Sequence, residues 1–126
     1  MVRITYEPID PRGSYDLIAG KTAGSVLFHY AVVKTRKGLG GVTRHIEYTP
    51  AGDAEEELAA IAAEICGSCA IEDIVLIRRV GRVGIGEIIS LVAVSSPSSE
   101  DAFTACKFGI SRLKKMRCIS KNEVCG

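Results

Sequence analysis

Apolar residues recur along this chain with two different periods, and the switches between them outline its elements. VRITYEP (2–8) alternates apolar and polar positions through Val2, Ile4 and Tyr6, the pattern of a short strand that Pro8 and Pro11 close. SYDLIAG (14–20) reads as one or two helical turns. GSVLFHYAVVK (24–34) is a mostly apolar, β-rich run and VTRHIEY (42–48) a second strand, with glycine-rich KGLGG (37–41) between them. In DAEEELAAIAAEIC, Asp53 stands as N-cap with Glu56 three residues on, a capping-box arrangement. Apolar residues follow at Leu58, Ile61, Ala62 and Ile65, which predicts a helix. IEDIVLIRRV (71–80) and GEIISLVAVSS (86–96) predict two strands around a turn at GRVGI; being nearly continuous in apolar residues, they are expected to be buried on both faces. After Pro97, Ser98 can cap a last helix whose stripe runs Ala102, Phe103, Cys106, Ile110 and Leu113. This order has too few β-α-β units for a doubly wound sheet. It predicts an α+β fold with a mixed, mostly antiparallel sheet and two main helices.

At 126 residues, one domain over 1–126 is the expectation, and 47% hydrophobic with 25% charged residues fits a folded core rather than a disordered chain. The formal net charge is +1, so nothing global draws the chain to nucleic acid or to an anionic membrane. No recognised nucleic-acid motif accompanies the basic C-terminal region. No apolar h-region follows a basic start and no apolar stretch approaches a membrane span, so a cytoplasmic protein is expected. Five cysteines, an odd number without secretory context, fit reduced thiols.

CGSC (66–69) has the C-x-x-C form of metal and dithiol sites, but it closes a helix and so meets the negative end of the dipole, where a thiolate is disfavoured. Packing cysteines are the better reading. The glycine-rich VGRVGIGE (80–87) and GLGG (38–41) lack the strand-to-helix context of a phosphate loop and read as turns. His29 and His45 lie in strand-like runs away from any nucleophile, and a structural role is expected for both. SRLKKMRCISKNE (111–123) packs five cations beside one carboxylate. Those cations either complement a helix C-terminus or place Lys114 and Lys121 on one pocket. There, partial burial and mutual repulsion would lower a lysine pKa towards neutrality.

Four blocks, in order, carry a family resemblance: GSVLFHYAVVK; VTRHIEYTP with EEELAAIAAEI; IRRVGRVGIGEIISLVAVSS; and DAFTACKFGISRLKKMRCISKNE. Together they resemble the MoaE family, the catalytic subunits of molybdopterin synthase. The resemblance implies an α/β hammerhead-type domain that forms a homodimer. Each protomer would bind a small ubiquitin-like, MoaD-like subunit, giving a heterotetramer. Sulfur would pass from that subunit's thiocarboxylated glycine-glycine tail to cyclic pyranopterin monophosphate, so no cofactor is implied. Lys114 and Lys121 match the family's two active lysines, Glu123 the glutamate of the closing lysine-x-glutamate motif, and Lys34 a substrate-contacting arginine. Ser98 and Ser99 stand where the family has a histidine-arginine pair, and serines before a helix N-terminus can bind phosphate. The chain also ends at Gly126, short of the family's usual tail. The absent pair motivates a second reading, a noncatalytic paralogue that binds the small subunit or a pterin without turnover.

Overall fold

A computed structural model describes residues 1–18, 22–38 and 41–126, so parts of the SYDLIAG and KGLGG readings lie outside the described residues. In chain order the elements are β1 (Val2–Thr5), a 3-10 segment (Pro11–Leu17), β2 (Ser25–Val32), β3 (Lys37–Gly38), β4 (Gly41–Pro50) and α1 (Ala54–Ser68). They continue with β5 (Asp73–Arg79), β6 (Gly81–Gly84), β7 (Ile88–Ser96), α2 (Ser99–Lys114) and β8 (Ile119–Cys125). One sheet has the order β1-β5-β7-β2, with β1 and β5 parallel and the other pairs antiparallel. The second has the order β3-β4-β6, with β8 also paired to β4, all antiparallel. This is the mixed, mostly antiparallel α+β architecture expected from the sequence.

The central strands β5 and β7 are buried on both faces, as their continuous apolar runs require. Ile74, Leu76, Val92 and Val94 point to the helices, meeting Leu58, Ile61 and Ile65 of α1 and Ala102, Ala105 and Leu113 of α2. Val75, Ile77, Leu91 and Ala93 form the opposite face, packed by Phe28, Tyr30, Ile9 and Ile18. Each fully buried Leu or Ile contributes roughly 2 kcal/mol by leaving water.

Both helices start on the predicted caps. Asp53 Oδ1 accepts from the Glu56 amide at 2.9 Å, and Glu55, Glu56 and Glu57 complement the positive end of the α1 dipole. Ser98 Oγ accepts from the Asp101 amide at 3.4 Å, while Arg112 and Lys114 occupy the last turn of α2. The buried stripe of α2 runs Ala102, Ala105, Cys106, Gly109 and Leu113, and Phe103, expected within it, is 63% exposed. One residue further round the helix from Ala102 turns about 100° away from the sheet. Gly109 is needed where α2 packs on β7, since a Cβ there would sit 2.9 Å from Val92 Cγ1.

Two readings of the second sheet change. GRVGI is more than a turn, because Gly81–Gly84 forms β6 and pairs with β4 from His45 to Tyr48. β8 had no forecast at all. It is a polar edge strand, ISKNEVC, whose outer side chains face solvent, so no apolar alternation marks it.

Candidate active site

β2 ends where its chain must deliver Lys34, and a glycine turn sets that point. The Val33 amide donates to the Glu87 carbonyl at 3.0 Å, and the Gly86 amide donates back to the Val33 carbonyl at 2.8 Å. Gly86 has φ +81°, open to glycine with little strain. Glu87 is held in turn: Oε1 accepts from the Gly84 amide at 2.7 Å, and Oε2 from Arg79 Nη1 at 2.9 Å. These bonds keep the Glu87 carboxyl below its ordinary range, the Gly84 amide contributing most and the Arg79 guanidinium next. VGRVGIGE therefore serves the site as scaffold.

At the other end of the site, α2 stops at Lys114 and β8 begins five residues later. Glu57 of α1 clamps the connection, its two carboxylate oxygens accepting from the amides of Arg117 at 2.7 Å and Cys118 at 2.8 Å. The Ala51 amide donates to the Cys118 carbonyl at 2.8 Å, tying the same connection to the end of β4.

A cavity of about 610 Å³ opens where the two sheets meet the C-terminal end of α2. Lys34, Lys114, Lys121 and Glu123 all line it, so the structure brings four of the six residues singled out by sequence to one place. Lys114 and Lys121 are exposed at its wall, without the partial burial that would lower a lysine pKa. They reach a common site although one ends a helix and the other lies in a strand. Period-two alternation along β8 sends Lys121 and Glu123 to the same side.

Arg36 and Arg78 also line the cavity, giving five cationic side chains against one carboxylate in a chain whose net charge is only +1. Arg78 is 7% exposed. Its Nη1 donates to the Arg79 carbonyl at 2.8 Å and the Ile89 carbonyl at 3.3 Å, and its guanidinium lies 4.2 Å from the ring centroid of buried Tyr48. Burial lowers the Arg78 pKa, opposed by the Tyr48 hydroxyl, and burial likewise raises Tyr48. Among the described residues Arg78 has no carboxylate partner. A buried cation left unpaired beside a cavity is a strong attractor for an anion. The signal for Arg78 was two arginines inside an otherwise apolar strand. His29 was assigned a structural role, yet it too lines the cavity, and among the described residues its buried Nδ1 has no hydrogen-bond partner.

Ser98 and Ser99 are elsewhere. They sit at the N-terminal end of α2, and a helix of 16 residues puts about 24 Å between them and the Lys114 end. Cys66 is exposed in the last turn of α1 and Cys69 is its C-cap, the helix-closing position expected for both. Among the described residues no group of three or more His, Cys, Asp or Glu is placed to hold a metal. Likewise, none of the described helices is long and apolar enough to cross a membrane.

The sequence matches the family pattern described as MoaE protein over residues 4–116, most of the chain. The chain belongs to the MoaE family. A molybdopterin synthase catalytic subunit from Staphylococcus carnosus is 33% identical to this MoaE protein over 123 residues, covering 96% of this chain and 81% of the relative. Among solved structures, molybdopterin synthase from Staphylococcus aureus superposes with a TM-score of 0.88 at 30% identity, covering 98% of this chain and 90% of that one. A complex of subunits 1 and 2 of molybdopterin-converting factor from Helicobacter pylori shares the fold, with a TM-score of 0.75 at 13% identity, covering 97% and 83%. Membership of the MoaE family and the cationic cavity thus meet in one chain.

Proposed function

We propose that this cavity is the sulfur-transfer site of a molybdopterin synthase catalytic subunit. The observation that carries the reading is the concentration of Lys34, Arg36, Arg78, Lys114 and Lys121 on one cavity of about 610 Å³, within the size range of small-molecule sites. The substrate, cyclic pyranopterin monophosphate, brings a phosphate, and the thiocarboxylated tail of a small ubiquitin-like subunit brings a second anion. Five cations accommodate both. Lys34 keeps the charge of an arginine without its bidentate fork, and neighbouring Arg36 and Arg78 supply that fork to the phosphate. Lys114 polarises the thioacyl carbonyl as sulfur leaves it, and Lys121 neutralises charge developing on the opened cyclic phosphate. Glu123 on the same cavity offsets part of that positive charge. Sulfur arrives on the partner's tail, so the reading requires no cofactor.

The partner assignment is supported by the relatives' being named catalytic subunits and by the Helicobacter pylori complex of subunits 1 and 2. The full assembly in this reading is a homodimer in the cytoplasm, each protomer holding one small subunit. Ser98 and Ser99, far from the cavity of their own chain, bind phosphate only if another protomer's cavity comes to them.

The test is turnover by the wild-type protein, mixed with a thiocarboxylated small subunit and cyclic pyranopterin monophosphate and followed by mass spectrometry of both. Conversion of the tail to a carboxylate with formation of the dithiolene pterin supports the enzyme. Binding of both components without product would establish the noncatalytic paralogue instead.

A further inference from the structure

β4 changes phase part-way along. Ile46 and Tyr48 point inward, and strict alternation would turn Arg44 inward as well. The pairing with β8 slips instead: Thr43 faces Cys125 and His45 faces Val124, so Arg44 is an extra residue against a single step of the partner strand. That is a β-bulge, a device that re-aims side chains and is common beside active sites. Its effect is plain in the burial, with Thr43 only 4% exposed and Arg44 at the surface.

Turned inward, the Thr43 hydroxyl donates to Glu123 Oε2. The Thr43 amide donates to the Arg36 carbonyl at 2.9 Å, and the hydroxyl oxygen lies 3.3 Å from that same carbonyl. A hydroxyl has one proton to give. The amide already satisfies the Arg36 carbonyl, which leaves the proton for the carboxylate. One residue thus joins the segment carrying Lys34 and Arg36 to the strand carrying Lys121 and Glu123.

We infer that Thr43 is a positioning residue of the cavity, acting through Glu123 and resting on the anion-site reading above. Among the described residues Glu123 is the one carboxylate lining the cavity, beside five cations. Without an anchor it swings onto a neighbouring cation and competes with the anionic substrate for that charge. The Thr43 hydroxyl holds it at the wall, so the cations stay open to phosphate. The bulge makes that contact possible, since in strict alternation Arg44 rather than Thr43 would face inward.

The probe is inorganic phosphate, titrated by calorimetry into wild type, Thr43→Val, Thr43→Ser, Glu123→Gln and the double variant Thr43→Val/Glu123→Gln. Thr43→Val keeps the shape and loses the hydroxyl, and is expected to weaken phosphate binding about 5- to 10-fold. Thr43→Ser restores it to within about twofold. In the Glu123→Gln background Thr43→Val has no further effect, which a merely structural role would not produce. Unchanged binding in Thr43→Val, or an equal loss in the Glu123→Gln background, overturns the role of Thr43 alone. Wild-type protein that fails to bind phosphate overturns the anion site and the Thr43 role with it.

Discussion

Removing the Glu57 carboxylate tests how the site's two lysines are held relative to each other. Its oxygens accept the amides of Arg117 and Cys118, the two residues that carry the chain from the helix of Lys114 to the strand of Lys121. Burial alone would raise this carboxyl, but the two amide donors outweigh it and hold Glu57 below its ordinary value of 4.5. Hydrogen bonds to a charged group are worth about 1.5–3 kcal/mol each when buried, and these are half-exposed. Glu57→Ala should therefore cost about 2 kcal/mol in total. For a domain of this size that lowers Tm by about 6–10 °C. Glu57→Gln should fare little better, since its NH₂ would face one of the amide donors. A carboxyl whose folded pKa lies below its unfolded one stabilises fully above the unfolded value, and the effect is lost as pH falls through the folded one. The Tm gap between wild type and Glu57→Ala, measured by circular dichroism, should be widest at neutral pH and narrow as pH falls below the ordinary carboxylate value of 4.5. A gap that does not narrow at all in acid, or Glu57→Gln melting with wild type, would refute the clamp.

Arg78→Met should leave Tm within a few degrees of wild type, because it removes a desolvated, unpaired cation along with its two hydrogen bonds. It should also weaken inorganic phosphate binding by about tenfold, and unchanged affinity in calorimetry would count against Arg78. Gly109→Ala would force a methyl against Val92 Cγ1, an overpacking cost of about 1–3 kcal/mol that the gain of about 1 kcal/mol in helix propensity only partly offsets. Adding Val92→Ala should make the double variant less destabilised than the two single losses together, and strict additivity in denaturant melts would contradict that contact. Cys66→Ser combined with Cys69→Ser should retain turnover within about twofold, because neither thiol lines the cavity. Abolished turnover in a folded double variant would reopen the C-x-x-C motif.

What sequence revealed was what local chemistry decides. Asp53 and Glu56 start α1 through contacts three residues apart, and the unbroken apolar runs of β5 and β7 announce strands buried on both faces. β8 stayed hidden because ISKNEVC is polar and becomes a strand only through pairing with β4, some seventy residues earlier. Phe103 misled because its apolar character fits a stripe that the 100° step of the helix carries past it. The cavity was legible only in pieces. Lys114, Lys121, Glu123 and Lys34 were selected by family resemblance, and their convergence depends on tertiary packing that spacing cannot show. Arg78 was overlooked since a charge inside an apolar strand acquires meaning only once its neighbours are known. The bulge at Arg44 leaves no pattern in a single sequence, yet it decides that Thr43 faces Glu123.

The central claim, that the cationic cavity performs sulfur transfer, is tested most directly by single-turnover conversion of cyclic pyranopterin monophosphate in the complex with a thiocarboxylated small subunit, comparing wild type with Lys114→Ala. Lys114 is exposed at the cavity wall, so its removal should leave Tm unchanged. Losing the cation that stabilises the reacting acyl group should slow conversion by about 10²-fold or more. Conversion by Lys114→Ala within about twofold of wild type would contradict the account.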